Sequence, residues 1–238
     1  MRPLLLDNHL LALDKPAGVP VQADASGDRS LQQMGQAYLK REFDKPGEVF
    51  LAIVHRLDRP VSGVVLFART SKAASRLSDA WRRGDVRKGY LAVAEVADEA
   101  RAEAALAAGS GEREEWLLKD RERNLVRAVA PGTEGARLAR TRWRLLGRAG
   151  ERVLLGLEPV TGRSHQLRVA CARMGLPLLG DLKYGARGPL PDRSVALHAA
   201  VLEVPHPVRE ERPRISAPPP AGFAAAGFPA AASASPWP

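Results

Sequence analysis

A single cysteine, Cys171, among 238 residues excludes an intramolecular disulfide framework and any cysteine-cluster metal site. Histidine is scarce too: there are five, none at ligand spacing, so no dedicated metal site is expected. No long uncharged apolar run is present, and the N-terminus lacks a signal-peptide layout. Both absences argue against a membrane span and for a reducing, cytoplasmic setting. Acidic side chains are in deficit, since 27 Asp and Glu stand against 36 Lys and Arg and leave a formal charge of +9. That imbalance favours a polyanionic partner, and nucleic acid before a membrane surface. What the chain does have is apolar residues, at 45%, and enough length to bury a substantial core.

The stretch His55-Arg56-Leu57-Asp58-Arg59-Pro60-Val61-Ser62-Gly63 sets one carboxylate in a basic, turn-rich segment between two apolar runs. Val49–Val54 and Val64–Ala68 read as buried strands, with Pro60 and Gly63 punctuating the link. A carboxylate on a loop between two strands is held by a rigid scaffold and suits chemistry, although the local pattern alone also fits a solvated turn residue. Upstream, Leu4–Leu6 and Leu10–Leu13 predict a short strand pair. Lys15-Pro16-Ala17-Gly18-Val19-Pro20 is a stiff loop from which Lys15 can reach a phosphate. Residues 30–43 repeat apolar side chains at helical spacing behind Ser30 as N-cap.

Downstream, a helix is expected from Ser71 to Arg83, then a strand over Val86–Val96 that carries Tyr90. Residues 98–115 read as a short helix or mobile insertion. Strands follow at 116–118, 125–129, 141–146 and 153–157, and their short connections predict an antiparallel meander. Thr161-Gly162-Arg163-Ser164-His165-Gln166-Leu167-Arg168 closes a strand and opens a helix, on which His165 and Arg168 are three positions apart. A cation in the first turn opposes the helix dipole, so Arg168 is expected to have a carboxylate partner. Gly180–Gly185 is a tight loop and Val195–Val204 a last apolar element. The Pro/Ala-rich end, residues 224–238, is expected to be a disordered tail behind a domain spanning residues 1–223.

HRLDRPVSGVVLFART resembles the HRLD-x-x-TSG signature of the RluA-type pseudouridine synthases. RKGYLAV around Tyr90, TGRSHQLRVACARMGLPLLGDLKYG, the early KPAGVPV and the late LHAAVLEVPHP agree with that family in order and approximate spacing. The resemblance implies an α+β fold, with a mixed, largely antiparallel curved sheet flanked by helices and loops and a central RNA-binding cleft. It implies an isomerase that converts uridines of rRNA or tRNA to pseudouridine after base flipping. In the roles it carries over, Asp58 is the catalytic aspartate and Arg56 fills the space of the flipped nucleotide. Tyr90 packs on the uracil, and Arg168 ion-pairs with the aspartate.

Lys15, His55, Arg56, Arg59, Arg163 and His165 are the candidate RNA-binding residues. Isomerisation involves no redox step and no net hydrolysis, so neither a cofactor nor a metal is expected. A monomer is expected as well, without the N-terminal S4-like domain of some relatives. Three positions depart from the pattern: Val61 and Ser164 stand where threonine is common, and Ala170 where histidine is. A non-catalytic RNA-binding or ribosome-assembly protein of the same fold is the competing reading, and a nucleoside hydrolase ranks lower for want of a second placed carboxylate.

Overall fold

A computed structural model describes residues 2–237. In chain order the elements are β1 Leu5–Leu6, β2 Leu10–Lys15, α1 Leu31–Glu42, β3 Ala52–Ile53, β4 Ser62–Ala68, α2 Ser71–Arg83, β5 Arg87–Glu95 and α3 Glu99–Ala108. They continue with β6 Ser110–Asp120, β7 Leu125–Val129, β8 Arg137–Ala149, β9 Arg152–Pro159, α4 Gln166–Arg173, β10 Leu197–Glu203, β11 Arg214–Ser216 and α5 Ala221–Ala225. Strand pairs with a defined register are antiparallel. The fold is thus α+β with a mixed, largely antiparallel sheet. Two compact units divide the chain, residues 1–87 with 199–218 and residues 88–198 with 219–238.

In the first unit, β2 is central to a β1–β2–β4 ladder in which Leu13 faces Val65 and Lys15 faces Gly63. Strands β2 and β4 are apolar on both faces because both are covered. Leu10, Ala12, Val64, Leu66 and Ala68 pack with Ala73, Leu77 and Ala80 of α2. Leu11 and Leu13 turn the other way, against α1 at Gly35, where an added Cβ would stand 3.2 Å from Leu11 Cδ2. Helix α1 begins with a capping box between Ser30 and Gln33. Helix α2 is capped by Thr70, one residue earlier than expected, and ends at left-handed Gly84. Of the strand expected over 49–54 only Ala52 and Ile53 pair, while Val49 and Leu51 are buried without a ladder.

The second unit is a β5–β9–β8–β6–β7 meander. Strand β6 begins at Ser110, so Glu112, Arg113, Glu114 and Glu115, expected in the short helix or mobile insertion, belong to a strand. Glu112 pairs across strands with Arg142 at 3.0 Å and Glu114 with Arg140, while Arg113 pairs with Glu115 along the strand at 3.3 Å. Helix α4 lays Val169 on Leu117, Val126 and Ala139 of this sheet. Its Cys171 is fully buried, and burial together with Glu115 and Asp181 pushes the thiol pKa far up.

Within residues 224–238 the structure has a 3₁₀ turn at Pro229–Ser233. Phe223 and Phe228 are buried, and Arg144 Nη2 donates to Ser235 O at 3.3 Å. Two glycines explain the fit. A Cβ on Gly89 would lie 2.7 Å from Pro236 Cγ, and one on Gly156 would lie 2.9 Å from Pro236 O, so bare backbone on β5 and β9 makes room for the segment. A few well-placed rings outweigh a low average hydrophobicity.

Candidate active site

In the first unit the chain leaves β3 through His55-Arg56-Leu57 and turns at Asp58-Arg59-Pro60-Val61, where Val61 N–H donates to Asp58 O at 3.0 Å. Pro60 fixes φ at the third turn position, and Val61 is buried, so methyl groups fill the place where the signature it resembles commonly has a threonine. Gly63 then adopts φ +115°, and a Cβ there would stand 2.6 Å from Ala199 N, a backbone approach that only glycine permits. Asp58 itself is half-buried.

Lys15 is the first correction. Far from reaching out to a phosphate, its side chain is 0% exposed. Its Nζ donates to Val19 O at 2.8 Å, Arg59 O at 3.0 Å and Pro16 O at 3.1 Å. Three carbonyls match the three donors of an ammonium. Burial, with the charge of Arg59 working the same way, pulls its pKa down to about 8 against the opposing pull of Asp58. Lysine and the 16–19 loop therefore clamp the turn that carries Asp58.

Arg59 helps from the surface. Its Nε donates to Gly18 O at 2.9 Å, and its guanidinium pairs with Asp28 and, at 3.7 Å, with Asp24. His55 is likewise occupied, since Nε2 accepts the Leu66 N–H at 2.9 Å and the ring stacks on Trp81 at 4.8 Å. It extends the β3–β4 pairing and is half-buried. Of the basic candidates in this unit, Arg56 is exposed.

In the second unit, Tyr90 lies half-buried on β5 opposite Leu157 of β9. Two residues earlier on the same face, Lys88 donates to Thr161 O at 3.1 Å. Burial lowers the Lys88 pKa to about 8, opposed by Glu158. The Thr161–Arg163 turn is built around Gln166, which is buried with every polar group engaged. Its Oε1 accepts from Thr161 Oγ1 at 2.7 Å and Arg163 N at 3.0 Å, and its Nε2 donates to Arg140 O at 2.7 Å and Thr141 Oγ1 at 3.0 Å. Arg163 is half-buried, with Nε on Leu138 O at 3.0 Å.

His165 and Arg168 do not share a helix face, because His165 precedes α4 in a left-handed conformation at φ 51°. Its ring is buried, and Nδ1 lies 2.6 Å from the Tyr184 hydroxyl, which accepts the Val126 N–H at 3.0 Å. Arg168 has the carboxylate that its place in the first turn calls for. Asp181 accepts from Nε at 2.7 Å and from Nη2 at 2.6 Å, in a bidentate pair. Asp181 and Tyr184 read in the sequence as part of a tight loop, Gln166 as the start of a helix and Lys88 as a strand residue, and none of the four is marked there for a role. Their signal was the presence of polar residues beside runs that must be buried.

Among the described residues no group of three or more His, Cys, Asp or Glu could hold a metal ion, and no helix is long and apolar enough to cross a membrane.

A family model described as RNA pseudouridylate synthase matches residues 9–173. An uncharacterized RNA pseudouridine synthase of Zymomonas mobilis is 36% identical over 230 residues, covering 95% of this chain and 97% of its own. The ribosomal large subunit pseudouridine synthase C of Vibrio cholerae is 32% identical over 218 residues. That match takes in 89% of this chain but only 64% of the Vibrio protein's length. Among solved structures, human RNA pseudouridylate synthase domain containing 4 superposes with a TM-score of 0.75 over 93% of this chain and 90% of its own, at 22% identity, a likeness of fold.

Proposed function

The chain belongs to the RNA pseudouridylate synthase family, and from that premise we propose that Asp58 is the carboxylate driving isomerisation of uridine to pseudouridine in folded RNA. The observation that carries this reading is the support under the Asp58 turn, with Lys15 Nζ on Arg59 O at 3.0 Å and Gly18 N on the same oxygen at 2.8 Å. Fixed carboxylates on supported loops suit catalysis, because orientation need not be recovered in each turnover. The reaction breaks the N-glycosidic bond, turns the uracil and rejoins it through C5, with no net change in redox state or water. Asp58 supplies the ionised carboxylate, Tyr90 the ring that packs on the base, and Arg168 a cation that stays charged throughout.

Uridine within a folded RNA must first leave its stack, at a cost of roughly a few kcal/mol. Arg56, exposed beside Asp58, offsets this by filling the vacated position, and Arg163 and the surplus positive charge contact phosphate. The name of the Vibrio relative, a ribosomal large subunit pseudouridine synthase, supports large-subunit ribosomal RNA as the substrate. We take the enzyme to act in the cytoplasm as a monomer.

The test uses purified protein with unmodified transcripts of large-subunit ribosomal RNA and transfer RNA, followed by separation of nucleosides. Pseudouridine from the ribosomal transcript is the expected product. Free uracil would mark a hydrolase, and no change a binding protein. Asp58→Asn should make no pseudouridine while still retaining RNA on a filter; turnover near the wild-type rate would sink the assignment.

A further inference from the structure

Asp181 and Tyr184 lie on a loop that is built as tightly as the α4 helix it faces. Gly180 adopts φ +80°, where an added Cβ would meet the Ser194 carbonyl. Asp181 N–H donates to Leu178 O at 3.0 Å, and Asp181 O accepts from Tyr184 N at 3.0 Å and Ala186 N at 3.1 Å. The Asp181 carboxylate therefore has a fixed origin. It grips Arg168 along the Nε–Nη2 edge, with the two side chains 1% and 6% exposed. The guanidinium carbon Cζ lies over the Tyr184 ring, 5.0 Å from its centroid. That ring is itself pinned through its hydroxyl to Val126 and His165.

A flexible side chain is thus held along one edge and over one face, and its Nη1 corner lies outside the pair. Neighbouring buried positions of α4, Leu167, Val169, Ala170 and Cys171, are apolar. Apolar residues at both 168 and 181 would fold at least as well, since exchanging a whole buried ion pair for well-packed hydrophobic residues is often neutral or stabilising. Packing alone does not account for a charged pair at this place.

We infer that Asp181 is a positioning residue for the isomerisation, fixing the guanidinium of Arg168 so that its Nη1 corner is presented in one orientation. The inference rests on the proposed role of Arg168. Asp181 touches neither the RNA nor the reacting atoms. Tyr184 serves the same end by limiting rotation of the guanidinium out of its plane.

The experiment compares full-length wild type, Asp181→Asn, Arg168→Met and the double variant on whichever transcript the wild type converts, with thermal unfolding recorded for each. Asp181→Asn should lower kcat about 100-fold and leave KM for RNA within about 2-fold, the pattern of a misplaced group that acts in the transition state. In the Arg168→Met background the same change should cost less than about 2-fold, because a residue acting through another has nothing left to position. A kcat for Asp181→Asn within about 3-fold of wild type, losses that multiply in the double variant, or a loss confined to KM would each overturn the inference. Should Asp181→Asn be unfolded at the assay temperature, Asp181→Glu is read instead. It keeps the charge and shifts it by one methylene, so a reduced kcat at unchanged KM supports the inference and a wild-type kcat overturns it. A wild type that makes no pseudouridine would instead defeat the functional reading itself.

Discussion

Lys15 in the first unit and Arg168 in the second are both cations withdrawn from water, and they are held by opposite means. Lys15 gives its hydrogen bonds to three neutral carbonyls at 2.8 to 3.1 Å, so dipoles solvate its charge, with the Asp58 charge as a further attraction. Arg168 meets a full carboxylate at 2.6 and 2.7 Å, so its charge is cancelled. Lysine suits the first arrangement because an ammonium offers three donors to a loop that must be gathered around a point. Arginine suits the second because its fork matches a carboxylate and still leaves a corner over. One cation organises backbone and the other organises a side chain.

The comparison can be broken most sharply by unfolding measurements. Arg168→Met strands Asp181 as a buried carboxylate without its cation and should cost about 3–5 kcal/mol in urea denaturation. Lys15→Met orphans three carbonyls and removes a cation that acts on Asp58, which is only half-buried, so about 1–3 kcal/mol is expected. Equal losses would show that the two cations are not stabilised differently.

A pH series sharpens the contrast. Lys15 has a folded pKa of about 8, below its ordinary 10.5. Between those values the unfolded chain keeps a proton that the native state has released, so the Lys15 contribution to stability rises with pH through that window. At about 1.4 kcal/mol per unit of depression, the rise is at most about 3.5 kcal/mol. Lys88 shares the direction, so the Lys15 part is isolated as the difference between wild type and Lys15→Met. The corresponding difference for Arg168→Met should be flat across pH 8 to 10.5, because a guanidinium does not titrate there.

Arg59 completes the series at the small end. Its side chain is 43% exposed, so Arg59→Ala should cost no more than about 1 kcal/mol despite two carboxylate partners, as surface pairs usually do.

Much of this architecture was legible from residue order. Apolar runs, helical spacing and breakers located β4, α1 and β5, and the signature around Asp58 located the loop that Lys15 clamps. What escaped was direction. Lys15 reads as a loop lysine aimed at solvent, because a sequence gives no sign that three carbonyls will converge on it. His165 reads as helical by spacing, but its left-handed backbone removes it from α4. The helix dipole correctly demanded an anion near Arg168, and Asp181 answers that demand from 13 residues further along, a distance no local rule spans. The last residues pack because Gly89 and Gly156 are bare where Pro236 sits, a complementarity between distant positions that composition averages away.

Cys171 gives the experimenter a silent background. As the only thiol of the chain, fully buried in α4 and with its pKa far above the usual range, it should ignore alkylating reagents as long as that helix is closed. A cysteine placed on the surface could then carry a fluorophore or spin label with nothing else competing for it. In an unlabelled protein, the slow capture of Cys171 would clock how often α4, and Arg168 with it, comes open.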